Sequence, residues 1–398
     1  MGRTKSKIPF VGLHAHSVAG SVFDAIGYPQ AHMDFAYENG CDALALTDHG
    51  NMNGLAYQVL HAKKMKSQDK DFKPIYGCEV YFVPSVSEWR DEYEKAKADK
   101  KKAKALAKSK AGLSVEDEGE TKSSNSNILN RRRHLVLIAQ NQTGLNNLFK
   151  LISESYTEDY FYRFPRIDYD LLTKYGEGII ASSACLGGVY AGCLWEKREE
   201  GDEAVLNAMR AVTKKMVSIF GDRWYGELQW NNVPEQHQLN KFIIQMSKEF
   251  GIKLISTADS HYPNPDAWKD RELYKRLGWL GRGTPKWAES GTELPAGVEE
   301  VGYELYPKNG DQMFASYKQY SNDDYDDDLV LDSIRETHNI AFNHIETFVP
   351  DNTIRLPDFV VPAGFSADDA LAKLSLDGLK EMMGWTTKTK VGPEQKEY

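Results

Sequence analysis

Between residues 10 and 259 the chain alternates short apolar runs with amphipathic stretches, and metal-ligating side chains stand at the ends of those runs. The runs at 10–13, 43–47, 74–83, 135–139, 179–183, 224–228 and 253–257 have the length of strands. The stretches at 29–39, 55–65, 145–154, 204–219 and 235–250 carry apolar residues at helical spacing. Pro29 stands in the first turn of one such helix and Gly40 just past its end. Repeated βα units predict either a parallel barrel or a doubly wound sheet. The ligand positions choose between the two. His14, Asp48, His49, Cys185 and Asp259 each fall just after an apolar run, at the carboxyl end of a predicted strand. In a closed (β/α) barrel those ends converge on one mouth. An open sheet cannot readily aim five separate strands at one place. The chain is therefore read as α/β, a TIM-like (β/α) barrel followed by a smaller, mostly helical region.

A chain of 398 residues is too long for one ordinary core. The barrel is expected over residues 1–280, and a loop-rich, then helical, region over 281–398. Gly281, Gly283, Pro285, Gly291, Pro295 and Gly297 mark the change of texture. Helical patterns follow at 312–320 and 329–343, and the acidic run at 323–328 suits a helix N-terminus. Residues 88–133 interrupt the barrel pattern. Residues 95–110 are nearly all lysine and alanine, an acidic, serine-rich tract follows, and Arg131, Arg132 and Arg133 close it. Composition predicts a charged surface insertion. A second reading has the three arginines touching a phosphate backbone beside the mouth, because Arg133 directly precedes His134. The net charge of -9 opposes coating of duplex DNA by bulk charge, though not a local positive site. The four cysteines, Cys41, Cys78, Cys185 and Cys193, show no CxxC spacing and predict a reducing compartment. No signal peptide or membrane-length apolar run is legible, and the expected location is cytoplasmic.

Residues i and i+2 of a strand share a face, so His14 and His16 can grip one ion together; Asp259 and His261 have the same spacing. Asp24, His49, Glu79, His134 and Cys185 bring the set to nine. Imidazole and thiolate suit zinc, whereas carboxylates bridge ions or bind harder ones such as manganese. Nine ligands exceed one tetrahedral centre and predict two or three divalent ions, as in centres that cleave phosphate esters. No Ser-His-Asp signature or phosphate-cradling glycine loop competes. Any one of these residues alone reads as core: a strand histidine is usually hydrogen-bonded inside, and Cys185 passes as a small hydrophobe. The conjunction selects the metal reading, since five of the ten histidines fall at strand ends. His32, His61, His237, His338 and His344 lie in helical stretches and read as structural. Cys78 should point away from its neighbour Glu79, and Cys41 and Cys193 read as packing residues.

His14-Ala15-His16, Leu46-Thr47-Asp48-His49-Gly50, Tyr76-Gly77-Cys78-Glu79-Val80-Tyr81, His134-Leu135-Val136-Leu137, Ser183-Ala184-Cys185-Leu186-Gly187-Gly188 and Asp259-Ser260-His261 resemble the polymerase-and-histidinol-phosphatase (PHP) domain. More narrowly they resemble the version at the amino end of bacterial-type C-family DNA polymerases, the DNA polymerase III alpha subunits. Leu356-Pro357, Phe359, Pro362 and Gly364, followed by Leu371, Leu374, Gly378 and Leu379, are similar to the segment that joins this domain to the polymerase palm. The resemblance implies a distorted (β/α)7 barrel and a trinuclear centre. His14, His16, Glu79 and Asp259 would hold one ion, Glu79 with His134 and Cys185 a second, and Asp24, His49 and His261 a third. Asp259, His261, Glu79 and His49 are the implied catalytic set, and zinc, manganese or iron the implied ions, with magnesium a further candidate. The implied activity is 3′–5′ removal of nucleotides from DNA ends, that is, proofreading. The implied partners are DNA 3′ ends, the palm and fingers in cis or trans, and replisome subunits. Two other readings stay open: a catalytically silent scaffold that keeps its metal, and a small-molecule phosphatase. A bacterial cytoplasm or nucleoid, or a viral origin, fits this resemblance, and no DNA synthesis is expected from the chain alone.

Overall fold

The computed structural model describes residues 3–22, 24–110, 132–279, 304–321, 324–351, 353 and 359–384. In chain order its elements are α1 (Pro29–Glu38), β1 (Ala43–Leu46), α2 (Leu55–Lys66), β2 (Lys73–Phe82), α3 (Val86–Lys110), β3 (Arg133–Ala139) and α4 (Gln142–Ser155). Then come β4 (Phe161–Tyr162), β5 (Phe164–Ile167), α5 (Tyr169–Tyr175), β6 (Ile179–Ser182), α6 (Val189–Lys197), α7 (Asp202–Phe220) and β7 (Trp224–Gln229). The remainder are α8 (Pro234–Phe250), β8 (Lys253–Thr257), α9 (Trp268–Trp279), α10 (Gly310–Tyr320), α11 (Asp327–Asn339) and α12 (Ala367–Met382).

The eight strands form one curled sheet, an incomplete barrel wrapped in helices. Its main path runs β4-β5-β2-β3-β6-β7-β8, with β1 paired to the first half of β2. The gap between β1 and β8 is spanned by residues 10–16, not by a regular strand. Gly12 bridges Leu44 on one side and Ala15 bridges Ser260 on the other. The backbone bonds Ala45 N–H to Gly12 O and His16 N–H to Ser260 O fix that segment in the seam, at 2.8 and 2.7 Å. A barrel of wholly parallel staves is not what forms. β3 runs antiparallel to both β2 and β6, because Phe82 pairs with Arg133 and the chain re-enters the sheet at the end where it left. The amino end of β3 therefore lies at the mouth, which is why His134 precedes its apolar run whereas the other ligands follow theirs.

Period-two alternation sorts the core into two layers. Val11, Leu13, Ala43, Ala45, Ile75, Val136, Ile138, Ile180, Tyr225 and Ile255 fill the barrel interior together with Ile340, Ala341 and Ile345. The Lys73 ammonium donates to the carbonyls of Ala341 and Ile345 at 2.7 and 2.6 Å, pinning that plug beside the start of β2. A larger apolar layer, including Leu135, Leu137, Leu148, Leu194, Phe220 and Trp224, seals the sheet against the helices.

The chain divides into two compact units, Met1–Pro350 and Asp351–Tyr398. α11 packs along β8, with Ser333 Oγ 2.7 Å from Ser256 Oγ and Lys253 paired to Glu336 at 2.8 Å. The Asp326 carboxylate caps α11 at Asp328 N–H and Leu329 N–H, the N-terminal role expected of the acidic run. In the second unit α12 opens with a Ser366–Asp369 capping box and leaves Leu371, Leu374 and Met382 exposed. Among the described residues no helix is long and apolar enough to cross a membrane.

Candidate metal centre

The mouth of the sheet gathers the predicted ligands. His14 and His16 come from the seam segment, Glu79 from β2 and His134 from the first residues of β3. His49 follows β1, Cys185 follows β6, and Asp259 and His261 follow β8. Two backbone positions here sit in the left-handed region, Ala184 at φ 58° and Asp259 at φ 48°. The second replaces the strand alternation predicted for Asp259 and His261: a left-handed turn, not a shared strand face, brings both side chains inward. Gly187 is required for close approach, since a Cβ there would lie 2.9 Å from His134 Nδ1.

Ligand atoms of His14, His16 and Asp259, of His49, Glu79 and His134, and of His16, His49 and His261 each lie within 4.8 Å of one another. His14 Nε2 is 3.2 Å from Asp259 Oδ1 and 3.5 Å from Glu79 Oε1; His16 Nε2 is 3.2 and 3.3 Å from the same two carboxylates. Four bonds of 2.0–2.1 Å around a tetrahedral ion put its ligand atoms about 3.3 Å apart, so these spacings suit a shared cation. Cys185 Sγ lies 3.7 Å from His134 Nδ1 and 4.0 Å from Glu79 Oε1. Asp24 Oδ2 completes the set at 3.0 Å from His49 Nε2 and 3.2 Å from His261 Nε2.

The fit to cations rests on unsatisfied atoms. His14 Nε2, His16 Nε2, His49 Nδ1, Glu79 Oε2 and Asp259 Oδ1 are buried and make no hydrogen bond despite their closeness. Buried polar atoms are otherwise paired in nearly every protein. Five orphans aimed into one space are what a metal cluster requires.

Outer partners fix the ring orientations. His14 Nδ1–H donates to Glu227 Oε1 at 2.7 Å, and the same carboxylate accepts from Thr257, Ser182 and Gln229 at 2.6, 2.6 and 3.1 Å. His261 Nδ1–H donates to the Asp259 carbonyl at 2.7 Å. His16 Nδ1 meets Ser21 Oγ at 3.1 Å, while Ser21 donates to Asp48 Oδ1 and accepts from His49 N–H. Each arrangement turns Nε2 inward with its lone pair toward the cluster. Asp48, grouped with the ligands in the sequence reading, stands behind them, accepting from Ser17 N–H, Ser17 Oγ and Ser21 Oγ. Glu227 was not singled out from sequence. The one signal was a carboxylate inside an otherwise buried strand.

Electrostatics split the imidazoles. Burial pushes the His16 pKa down to about 3, reinforced by His49 and His261. Burial also opposes charge on His49, yet Glu79 and Asp24 outweigh it and raise that pKa to about 10. His14 is likewise raised, by Asp259, Glu227 and Glu79 against the cost of burial. Burial would lift the carboxylates, but His14 and His261 hold Asp259 well below its ordinary range, and His134, His49 and His14 do the same for Glu79. The carboxylates thus draw positive charge to His14 and His49, while burial disfavours it on His16.

The remaining calls are placed as follows. Arg131 lies outside the described residues. Arg133 pairs with Glu196 at 2.7 Å, and Arg132 lies over the Phe164 and Tyr81 rings. The Cys78 thiol faces away from Glu79, toward the Asp48 carbonyl at 3.3 Å. His32 and His61 are tied to the Ile26 carbonyl and to Asp34. Arg271, also absent from the sequence reading, contacts Asp24 Oδ1 at 2.8 Å and its carbonyl at 2.6 Å.

A curled sheet with convergent imidazoles and carboxylates at its mouth defines a metal-binding site of hydrolase type. Residues 12–231, more than half of the chain, match the PHP domain, and the chain belongs to that family. DNA polymerase III subunit alpha of Aquifex aeolicus is 32% identical over 399 residues, covering 98% of this chain and 29% of that protein. Its counterpart in Borreliella burgdorferi is 29% identical over 372 residues, covering 93% of this chain and 27% of that protein. The chain spans less than a third of the length of these curated relatives. A solved amidohydrolase from Chromobacterium violaceum with bound sulfate covers 66% of this chain and 96% of its own at 13% identity and a TM-score of 0.35.

Proposed function

We propose that this chain is the PHP region of a replicative, DNA polymerase III alpha-type protein. In this reading its mouth is a metal-dependent phosphoesterase that removes nucleotides from DNA 3′ ends. Five buried ligand atoms that make no hydrogen bond yet face one another at 2.8–3.3 Å carry the reading. His14, His16, Glu79 and Asp259 would hold one ion, Glu79, His134 and Cys185 a second, and Asp24, His49 and His261 a third. Divalent ions held so supply a nucleophile near neutral pH and neutralise charge on a phosphoryl oxygen. The donor set of imidazole, carboxylate and one thiolate suits zinc, manganese or iron better than magnesium.

The residues divide the remaining work. Glu227 keeps the His14 proton on Nδ1 and the Asp259 carbonyl keeps that of His261 on Nδ1, leaving Nε2 of each to the cluster. His14, His16 and Glu79 side chains are fully sheltered, while Asp24 is 41% and His134 22% exposed, so substrate enters across Asp24 and His134. The Arg271 guanidinium already neutralises Asp24, which makes the third position the weakest for a cation. The palm, in cis or in trans, would supply synthesis and hand over the 3′ end.

The test is incubation of the purified chain with 5′-labelled single-stranded DNA and manganese or zinc, beside an Asp259→Asn variant. Stepwise shortening by wild type alone supports the proposal. Metal uptake without cleavage would establish a scaffold instead, and cleavage of small phosphate esters alone a phosphatase.

A further inference from the structure

α3 changes character at Ala96. Over its first three turns Val86, Trp89, Tyr93 and Ala96 recur at helical spacing and are buried. Val86 N–H donates to Asp168 Oδ2 at 3.1 Å, and the Trp89 and Tyr93 rings lie 6.0 and 4.5 Å from that of Tyr162. Beyond Ala96 that packing stops: residues 97–103 are exposed without exception, so every side of the helix there meets solvent. The helix runs on to Lys110, about 21 Å past Ala96 at 1.5 Å per residue. Residues 95–110 hold eight lysines against one acid, Asp99. The other residues of the chain, 41 basic and 57 acidic, carry a net charge of -16. An acidic chain thus carries its longest run of positive charge on a stretch of helix that leaves the core.

That stretch is not patterned for its own stability. Lys97 and Lys101, and Lys100 and Lys104, stand four residues apart, and Lys101 and Lys104 three, spacings at which like charges repel. Lys97 reaches back to Glu94 at 3.6 Å, but a solvated helix ordinarily intersperses both signs along its length. Leu106 is the one large apolar residue after Ala96, too little for a face that enters lipid. The root of the helix lies close to the mouth. Tyr162 belongs to the β4–β5 hairpin, whose Phe164 packs against Tyr81 at 5.3 Å, and Tyr81 lies 6.0 and 5.6 Å from the rings of His49 and His134.

Resting on the phosphoesterase reading, we propose that residues 97–110 are a basic arm that holds the phosphate backbone of the DNA strand whose 3′ end enters the mouth. Lysine ammonium groups neutralise phosphates and release counterions without reading sequence, as a site that meets any strand requires. The arm touches the strand and not the reacting atoms, so it acts on affinity and leaves the chemistry to the metal centre.

The test uses the full chain loaded with zinc or manganese. One variant combines Lys100→Gln, Lys101→Gln, Lys102→Gln and Lys104→Gln; a second carries Lys→Arg at the same four positions. Binding of a labelled single-stranded oligonucleotide is followed by fluorescence anisotropy across a salt series. Each phosphate neutralised on a single strand adds about 0.7 to the slope of log affinity against log salt. Loss of two to four contacts should flatten that slope by about 1.4–2.8 and weaken binding at about 0.1 M salt by roughly tenfold or more. KM on the oligonucleotide should rise in parallel, while metal content and kcat on a small phosphodiester stay at wild type. The arginine variant should bind as wild type does. An unchanged slope in the glutamine variant overturns the arm, and is the result expected if Glu116, Asp117, Glu118 and Glu120 of the same insertion already neutralise it. So does an arginine variant as weak as the glutamine one, and so does wild-type binding to phosphatidylserine vesicles as tight as to the oligonucleotide. Lysine-dependent binding of the oligonucleotide without any ester cleavage would leave the arm standing and sink the phosphoesterase reading instead.

Discussion

Replacing Glu227 by glutamine tests whether the centre depends on a group that touches no ion. The two side chains have nearly the same shape, so the barrel should form normally. Glu227 Oε1 accepts from His14, Thr257 and Gln229, and Oε2 from Ser182. A glutamine oriented with its oxygen at Oε1 keeps the first three bonds, and its amide can donate to Ser182 Oγ. What is lost is the charge behind His14. A hydrogen bond to a charged acceptor contributes about 1.5–3 kcal/mol and a neutral one about 0.5–1.5. The difference, roughly 1–2 kcal/mol, is the expected fall in cation affinity, close to the tenfold-to-hundredfold loss typical of removing such outer partners. A competitive zinc titration against a chromophoric chelator measures it, with circular dichroism to confirm the fold. Glu227→Ala should lose more, because all four donors lose this acceptor. Wild-type zinc affinity in Glu227→Gln would refute the idea that this carboxylate tunes His14.

Chelation should lower the melting temperature and zinc or manganese should restore it. A free-ion concentration a hundredfold above Kd stabilises by about 2.7 kcal/mol, and a melting curve indifferent to metal would contradict the cluster. Ser21→Ala removes the hydroxyl between His16, Asp48 and the His49 backbone at 3.1, 2.9 and 3.1 Å. Urea unfolding should register a loss of about 1–3 kcal/mol, together with weaker metal binding. Trp89→Ala empties the small core of Val83, Val86 and Tyr93 and takes the ring from beneath Arg166, 3.8 Å away. It should destabilise by about 3–5 kcal/mol and open α3 to limited proteolysis, with metal content unchanged.

The convergence of the candidate ligands was legible because strand ends in a barrel share one address, so residue type and position within each run were enough. Glu227 and Ser21 were not, since a lone carboxylate in a strand or a serine in a loop gives no sign of which ring it faces. The direction of β3 escaped for a different reason: a period-two pattern reads the same both ways. The one clue was His134 standing before its apolar run. β4 and β5 were missed because Phe161–Tyr162 and Phe164–Ile167 are too short for periodicity and turn on Arg163 at φ 57°. For the insertion, composition predicted a charged surface segment. Trp89 and Tyr93, which root it beside the barrel, became visible only through their packing partners.

The seam at residues 10–16 has a kinetic consequence. That segment gives His14 and His16 to the cluster and also joins β1 to β8, while 237 positions separate Asp24 from its partner His261. Joining ends so far apart is entropically slow and cannot happen until β8 exists. A cation held by His14, His16 and Asp259 would therefore act as a clasp between the seam segment and the end of β8, set late in folding, and its removal should let the fold open more often at that seam.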